Sequence, residues 1–364
     1  MKAQKRSPGS AGENLIAGDV PSQIRDALIT AKNVTAAMDA REQTDRLRAL
    51  RAQRSPVVQA NLQAAERLLA AVLEKSHFDA EKFKAIQAES RAELRRILQA
   101  QHAEAVKHST DAKATFRGAI ESRRKVIERV LASPATEGIS PFIQQVVLDA
   151  PFLIWPSTPP TPDLFFDNSH IEPWNSWAKF KVDSTAKSGS TGIEFYFFWE
   201  NPSKHPVLIN VDSWLTLSGY GRTDIPQHWN HEYSDLEIEA RLSLQEWWNQ
   251  PPTSPALQAN QGEQVLDLSV EFSGGPLFTF MTNPLGATWW GHGYGEGVSQ
   301  NCNLRYNLEL VPPRGGVVIR VGPGVSWTNQ GGAGIEADFD SGDFEVMCPF
   351  VQIQIMTPLT IKPR

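Results

Sequence analysis

Aromatic residues divide this chain into two unlike parts. All eleven tryptophans and all five tyrosines follow residue 150, whereas Phe78, Phe83 and Phe116 are the only aromatic residues among the first 134. The first third is rich in Ala, Gln, Glu, Arg and Leu, a composition that favours long helices. The remainder is rich in Trp, Phe, Val, Gly and Pro in alternating runs, which is typical of antiparallel sheets. The sequence therefore predicts a helical N-terminal region and a β-rich C-terminal region.

Charge divides at the same border. Residues 1–134 carry 24 Lys and Arg against 16 Asp and Glu, and the rest of the chain carries 11 against 25. The net charge of −6 thus combines a basic region with an acidic one. Opposite charges predict contact between the helical region of one copy and the β region of another, and salt would weaken such contact by screening.

The helical region contains a coiled-coil pattern. Apolar residues in 56–74 follow the 4-3 spacing of a helix seam, and this predicted oligomer seam consists of Val58, Leu62, Leu69 and Val72. A second helix is predicted to start after Asp79 and to continue until Ser133 and Pro134, a length of about 80 Å. Two arrangements remain open: an antiparallel hairpin that turns at 75–79 and packs against other protomers, or the parallel helices of an oligomeric stalk. The turn residues favour the hairpin.

Downstream, apolar residues alternate in about eight runs that predict half-buried strands. Examples are the run Val207, Ile209, Val211, Leu215 and Leu217 and the run Leu304, Tyr306, Leu308 and Leu310. After Pro349 the alternation changes parity, which predicts a β-bulge or a crossing between sheets. Seven prolines between residues 134 and 162 indicate a stiff connecting neck.

These patterns together predict an α+β multidomain chain. An N-terminal long α-helical hairpin or coiled-coil stalk is followed by a C-terminal antiparallel β-sandwich with a jelly-roll-like order. The predicted divisions are a flexible tail at 1–18, a helical stalk at 19–133, a Pro-rich neck at 134–162 and a β-sandwich head at 163–364.

A glycine-spaced aromatic run at 286–297 is the main candidate for ligand binding. Its candidate side chains are Trp289, Trp290, His292, Tyr294 and Glu296. In an extended conformation the last three share one face, and flat rings beside a carboxylate suit stacking on a sugar and accepting its hydroxyls. The alternative is a structural role, in which the tryptophans cover an edge of the sandwich or a subunit interface.

Metal binding has weaker support. His228, His231 and Glu232 offer two imidazoles and a carboxylate, but Pro226 and the flanking strands indicate a loop of hydrogen-bonded polar residues instead of a zinc-binding helix. Asp338, Asp340 and Asp343 flank a Ser-Gly turn that suits either calcium or solvent. No cofactor is expected. The two cysteines, Cys302 and Cys348, are interpreted as small apolar strand residues in a reducing compartment, and a single disulfide between them is the alternative.

The favoured functional interpretation is a non-enzymatic, self-assembling stalk-and-head protein whose β head binds a surface or a glycan. One alternative is a membrane-active, pore-forming toxin with a helical hairpin and a receptor-binding β head. Another is a sandwich hydrolase or metal enzyme, although no nucleophile motif or P-loop is present. The expected partners are other copies of the chain and a glycan or cell-surface receptor, with membrane-surface contact possible but neither nucleic acid nor a transmembrane segment. The N-terminus lacks the apolar core of a signal peptide, which predicts synthesis in the cytoplasm. In one interpretation the protein then becomes part of a released particle or a toxin.

Overall fold

A computed structural model describes residues 80–132, 143–157, 163–225, 232–247, 258–272, 292–330 and 333–356. Within these ranges the chain forms one α-helix and twelve β-strands. The helix, α1, spans Ala80–Ala132. The strands are β1 Ile143–Leu148, β2 Leu153–Pro156, β3 Leu164–His170, β4 Trp177–Ser184, β5 Ser188–Glu200, β6 Val207–Ile225, β7 Glu232–Trp247, β8 Gln258–Phe272, β9 His292–Val311, β10 Gly316–Gln330, β11 Gly334–Asp338 and β12 Glu345–Met356.

The strands form two antiparallel sheets that face each other across a common core. One sheet has the order β1-β12-β4-β11-β6-β9, with β3 added beside β4 and a further pairing between β12 and β6. The other has the order β2-β5-β10-β7-β8. The predicted antiparallel sandwich is therefore observed. Two of its strands, β1 and β2, come from the segment interpreted as a neck, and they pair with β12 and β5.

Alternation in the sequence identified most inward-facing residues correctly. The side chains of Val207, Ile209, Val211, Leu215 and Leu217 are all buried in the shared core. The expected irregularity near Pro349 is also confirmed, because the register of β12 against β6 shifts between Met347 and Phe350. A bulge of this kind moves the following side chains to the opposite face of the strand.

The predicted orientation is wrong at the end of β9. Leu308 and Leu310 were expected to face inward with Leu304, yet they are 65% and 48% exposed. The β6–β9 register shifts between Ile209 and Val211, and Leu308 adopts a left-handed backbone conformation with φ of 64°. This irregularity reverses the alternation, so the last apolar residues of the run point outward.

The predicted hairpin or coiled-coil stalk is also wrong. The helix has the expected limits, but it lies across the outer face of the seven-stranded sheet and contacts mainly β9 and β6. Leu98, Phe116, Ile120 and Ile127 are buried on its sheet-facing side. The physical reason is that helical periodicity reveals an apolar side without revealing its partner, and here the partner is a sheet instead of a second helix.

The predicted tail and the predicted seam of Val58, Leu62, Leu69 and Val72 lie outside the described residues. In the described part of the chain, no helix has the length and apolarity needed to cross a membrane.

Glycines on β9 allow close contact between the helix and the sheet. A Cβ atom at Gly293 would lie 3.0 Å from Leu98 Cδ1, and one at Gly297 would lie 3.5 Å from Ala105 Cβ. A Cβ atom at Gly295 would overlap the hydroxyl of Tyr220. The alternate glycines of the aromatic run therefore form a shallow track on which α1 lies.

Candidate functional site

The first residues of β9 bring two predicted ligand-binding side chains together. Tyr294 and Glu296 project from the same face of the strand, as the extended conformation predicted, and both are exposed. The hydroxyl of Tyr294 donates a long hydrogen bond of 3.4 Å to Glu296 Oε2. The side chain of His292 and both predicted tryptophans, Trp289 and Trp290, lie outside the described residues. Tyr294 and Glu296 are called the β9 edge site below.

Pairing and packing hold the β9 edge site in place. Tyr294 pairs with Thr223, and Glu296 pairs with Gly221, both on β6. The intervening glycines face α1, so the helix supports the strand from behind. The Tyr294 ring is thus carried by a paired strand and still leaves half of its surface in solvent, with an exposed fraction of 50%.

Further polar groups continue along the same face. After the buried Val298, the amide of Gln300 donates a hydrogen bond of 3.2 Å to Glu263 Oε1 on β8. An aromatic ring, a carboxylate and a hydrogen-bonded amide–carboxylate pair therefore follow one another along this edge of the sandwich. Such a surface can stack on a flat apolar face and accept hydrogen bonds from hydroxyl groups.

The predicted metal ligands are not brought together by the described structure. His228 and His231 lie outside the described residues, and for Glu232 only the backbone, which pairs with Phe272, is described. Among the described residues, no group of three or more His, Cys, Asp or Glu side chains is arranged to hold a metal ion. Metal binding by this set stays a prediction.

The acidic turn after β11 holds the helix. The buried carboxylate of Asp338 accepts hydrogen bonds from the backbone N–H groups of Asp340 and Ser341 and from the Ser341 hydroxyl, and His102 Nε2 of α1 lies 2.8 Å from Asp338 Oδ2. Burial alone would raise the pKa of Asp338, but these hydrogen bonds outweigh it and hold the pKa below its ordinary value. The carboxylate oxygens are thus occupied by protein donors, so the turn serves helix docking.

A second polar contact lies farther along the helix. Lys113 Nζ lies 2.7 Å from Glu345 Oε2 and 3.7 Å from Asp343 Oδ1. Thr110 donates a hydrogen bond of 2.6 Å to Asp343 Oδ2. Sequence reasoning missed these contacts, although His102 and Lys113 interrupt the apolar side of α1 at helical spacing, which was an available signal.

The two cysteines are free and buried. Burial, assisted by the nearby Glu263, raises the pKa of Cys302 to about 12. Burial also raises the pKa of Cys348. Because the thiolate is the reactive form, neither residue has the character of a nucleophile at neutral pH. Their interpretation as small apolar strand residues is confirmed.

Comparisons with known proteins add little to this geometry. No family model matches the sequence, and no curated protein matches it. Among solved structures, the chain is similar to TmCBM61 in complex with β-1,4-galactotriose, with 11% sequence identity over 48% of this chain and 68% of that chain. The TM-score of this match is 0.16, a value too low to support a conclusion about fold or ligand.

Proposed function

We propose that this protein is a non-enzymatic β-sandwich that binds a glycan at the β9 edge site. The observation that supports this most is the half-exposed ring of Tyr294, carried by a paired strand beside the exposed carboxylate of Glu296. The paired strand already orders the backbone of Tyr294, so ligand stacking has to restrict only the rotation of its side chain.

The chemistry of the site suits a hydroxyl-rich ligand. The Tyr294 ring offers an apolar face to the C–H face of a sugar, and Glu296 accepts hydrogen bonds from neighbouring hydroxyls. The Gln300–Glu263 pair extends the polar surface along the strand. Both carboxylates are acceptors, which favours neutral sugars over acidic ones.

Replacement of the ring tests the proposal. In a glycan array followed by titration calorimetry, we expect Tyr294→Ala to weaken binding by about 0.5–1.5 kcal/mol, the range for an aromatic contact, while the circular dichroism spectrum is unchanged. Phe165→Ala is the matched control, because Phe165 on β3 is also an exposed aromatic residue, with 56% of its surface in solvent. The control should bind like the wild type.

Three results would contradict the proposal. They are a wild-type protein that retains no glycan, a Tyr294→Ala variant with unchanged affinity, and an equal loss in Phe165→Ala. Glu296→Ala adds a second readout, since it should weaken binding without removing the ring.

A further inference from the structure

The part of the sandwich that carries the β9 edge site has a large excess of negative charge. Residues 223–304, which include β7, β8 and most of β9, contain ten Asp and Glu residues and a single Lys or Arg residue, Arg241. The three histidines of this interval are mostly neutral at about pH 7. A surface with this excess of one sign attracts cations and repels anions.

The single basic residue of this interval lies away from the β9 edge site. Arg241 Nε donates a hydrogen bond of 2.9 Å to Glu239 Oε2, and the Arg241 guanidinium occupies the space that a Cβ atom of Gly324 would need. The alternate residues Ile238 and Ala240 are buried in the core, so Glu239 and Arg241 point away from it. Arg241 therefore leaves the charge of the β9 edge site unbalanced.

Carboxylates on β7 and β8 repel one another. Burial, and then the charge of Asp267 on β8, raise the pKa of Asp235. Burial, and then the charge of Glu239, raise the pKa of Glu237. Because β8 also lies beside β9, this negative field extends to the edge where the site is.

Two carboxylates belong to the edge itself. Glu296 is exposed near the start of β9, and the half-buried Glu263 on β8 accepts a hydrogen bond from the amide of Gln300. Neither carboxylate forms an ion pair with another described residue. Gln300 follows Glu296 by four residues, so the Gln300–Glu263 pair lies about 13 Å from Glu296 along the strand. This separation exceeds the width of one sugar ring.

Given the proposed function, we infer that the β9 edge site selects oligosaccharides with free amino groups over neutral ones. The Tyr294 ring stacks on one sugar, and Glu296 beside it accepts a charge-assisted hydrogen bond from the ammonium group of that sugar. Glu263 accepts a second such bond from an ammonium group farther along the oligomer. The ligand class is therefore a glucosamine oligomer.

Titration calorimetry of the full-length protein at about pH 7 tests this inference with three probes. They are a glucosamine trisaccharide, the same trisaccharide with its amines acetylated, and a lysine pentapeptide. We expect the amino trisaccharide to bind at least about tenfold more tightly than the acetylated one, because only the former carries the positive charges. The lysine pentapeptide has the charges without the sugar rings and should bind more weakly than the amino trisaccharide.

Variants separate the contribution of the charge from that of the ring. Glu296→Gln should reduce the preference for the amino trisaccharide to less than about threefold and leave the affinity for the acetylated form unchanged. Glu200→Gln, which removes an exposed carboxylate from β5 and changes the net charge equally, should keep the full preference. Tyr294→Ala should weaken the binding of both trisaccharides.

The outcomes distinguish the selectivity from the site. If both trisaccharides bind equally and both are weakened by Tyr294→Ala, the selectivity is wrong and the glycan site stands. If neither trisaccharide binds, the site and the selectivity both fail. If the lysine pentapeptide binds as tightly as the amino trisaccharide and Tyr294→Ala does not affect either, the edge attracts cations without recognising a sugar, which would overturn the inference. Equal effects of Glu296→Gln and Glu200→Gln would also overturn it.

Discussion

At the scale of single residues, the glycines of β9 decide how closely the helix and the sheet approach. Gly295 leaves no room for a Cβ atom, because that atom would overlap the Tyr220 hydroxyl, which itself lies 3.4 Å from the carbonyl of Leu98. We expect Gly295→Ala to destabilise the protein by about 1–3 kcal/mol, the usual cost of overpacking. Gly297→Ala is the control, since its Cβ would make an ordinary contact of 3.5 Å with Ala105. Equal urea midpoints for the two variants would contradict this packing.

Asp338 makes the helix–sheet contact sensitive to acid. Its pKa in the folded protein is below its ordinary value, so its stabilising contribution is complete above the unfolded pKa of about 4 and is lost as the pH falls through the folded pKa. The free energy of unfolding should therefore fall more steeply below about pH 4 in the wild type than in Asp338→Asn. If the free energy of unfolding, measured by chemical denaturation, depends on pH equally in the wild type and in Asp338→Asn, Asp338 is not the source of the acid sensitivity.

At the scale of elements, a buried ion pair fixes α1 to β12. Glu345 is 2% exposed, and Lys113 is its partner at 2.7 Å. Lys113→Met leaves a buried carboxylate without its cation and should cost about 3–5 kcal/mol, whereas the double variant with Glu345→Gln should recover more than half of that loss. Lys107→Met, a change of an exposed lysine on the same helix, should cost little. A double-mutant cycle without coupling would show that the pair does not hold the helix.

The sequence predicted the helices and strands better than it predicted which of them pack or pair with one another. The limits of α1 and the inward face of β6 follow from local periodicity, which a single segment carries by itself. The bulge near Asn210 and Leu308 has no such local signal, because it depends on how two distant strands pair. Likewise, alternation predicted that Tyr294 and Glu296 share one face of the strand. It did not predict that α1 packs against the glycines on the opposite face.

At the scale of the whole molecule, the opposite charges of the two regions meet within one chain. The basic helix contacts the acidic turn and β12 through His102–Asp338 and Lys113–Glu345. Contact between copies and oligomerisation through residues 56–74 stay predictions. The helix is thus a third layer of the sandwich, with its apolar side on the outer face of the seven-stranded sheet.

Engineered cysteines test this three-layer arrangement most directly. The Cβ of Ala105 lies 3.5 Å from the position of a Cβ at residue 297, within the usual range of about 3.5–4.5 Å for a disulfide. Oxidation of the Ala105→Cys/Gly297→Cys variant should give an intramolecular disulfide in a single chain, detected by peptide mapping under non-reducing conditions. The control, Lys107→Cys/Gly297→Cys, should stay reduced because Lys107 is on the exposed side of the helix. If the Ala105→Cys/Gly297→Cys variant stays reduced, or if its disulfide links two chains, the packing of α1 against β9 within one chain is contradicted.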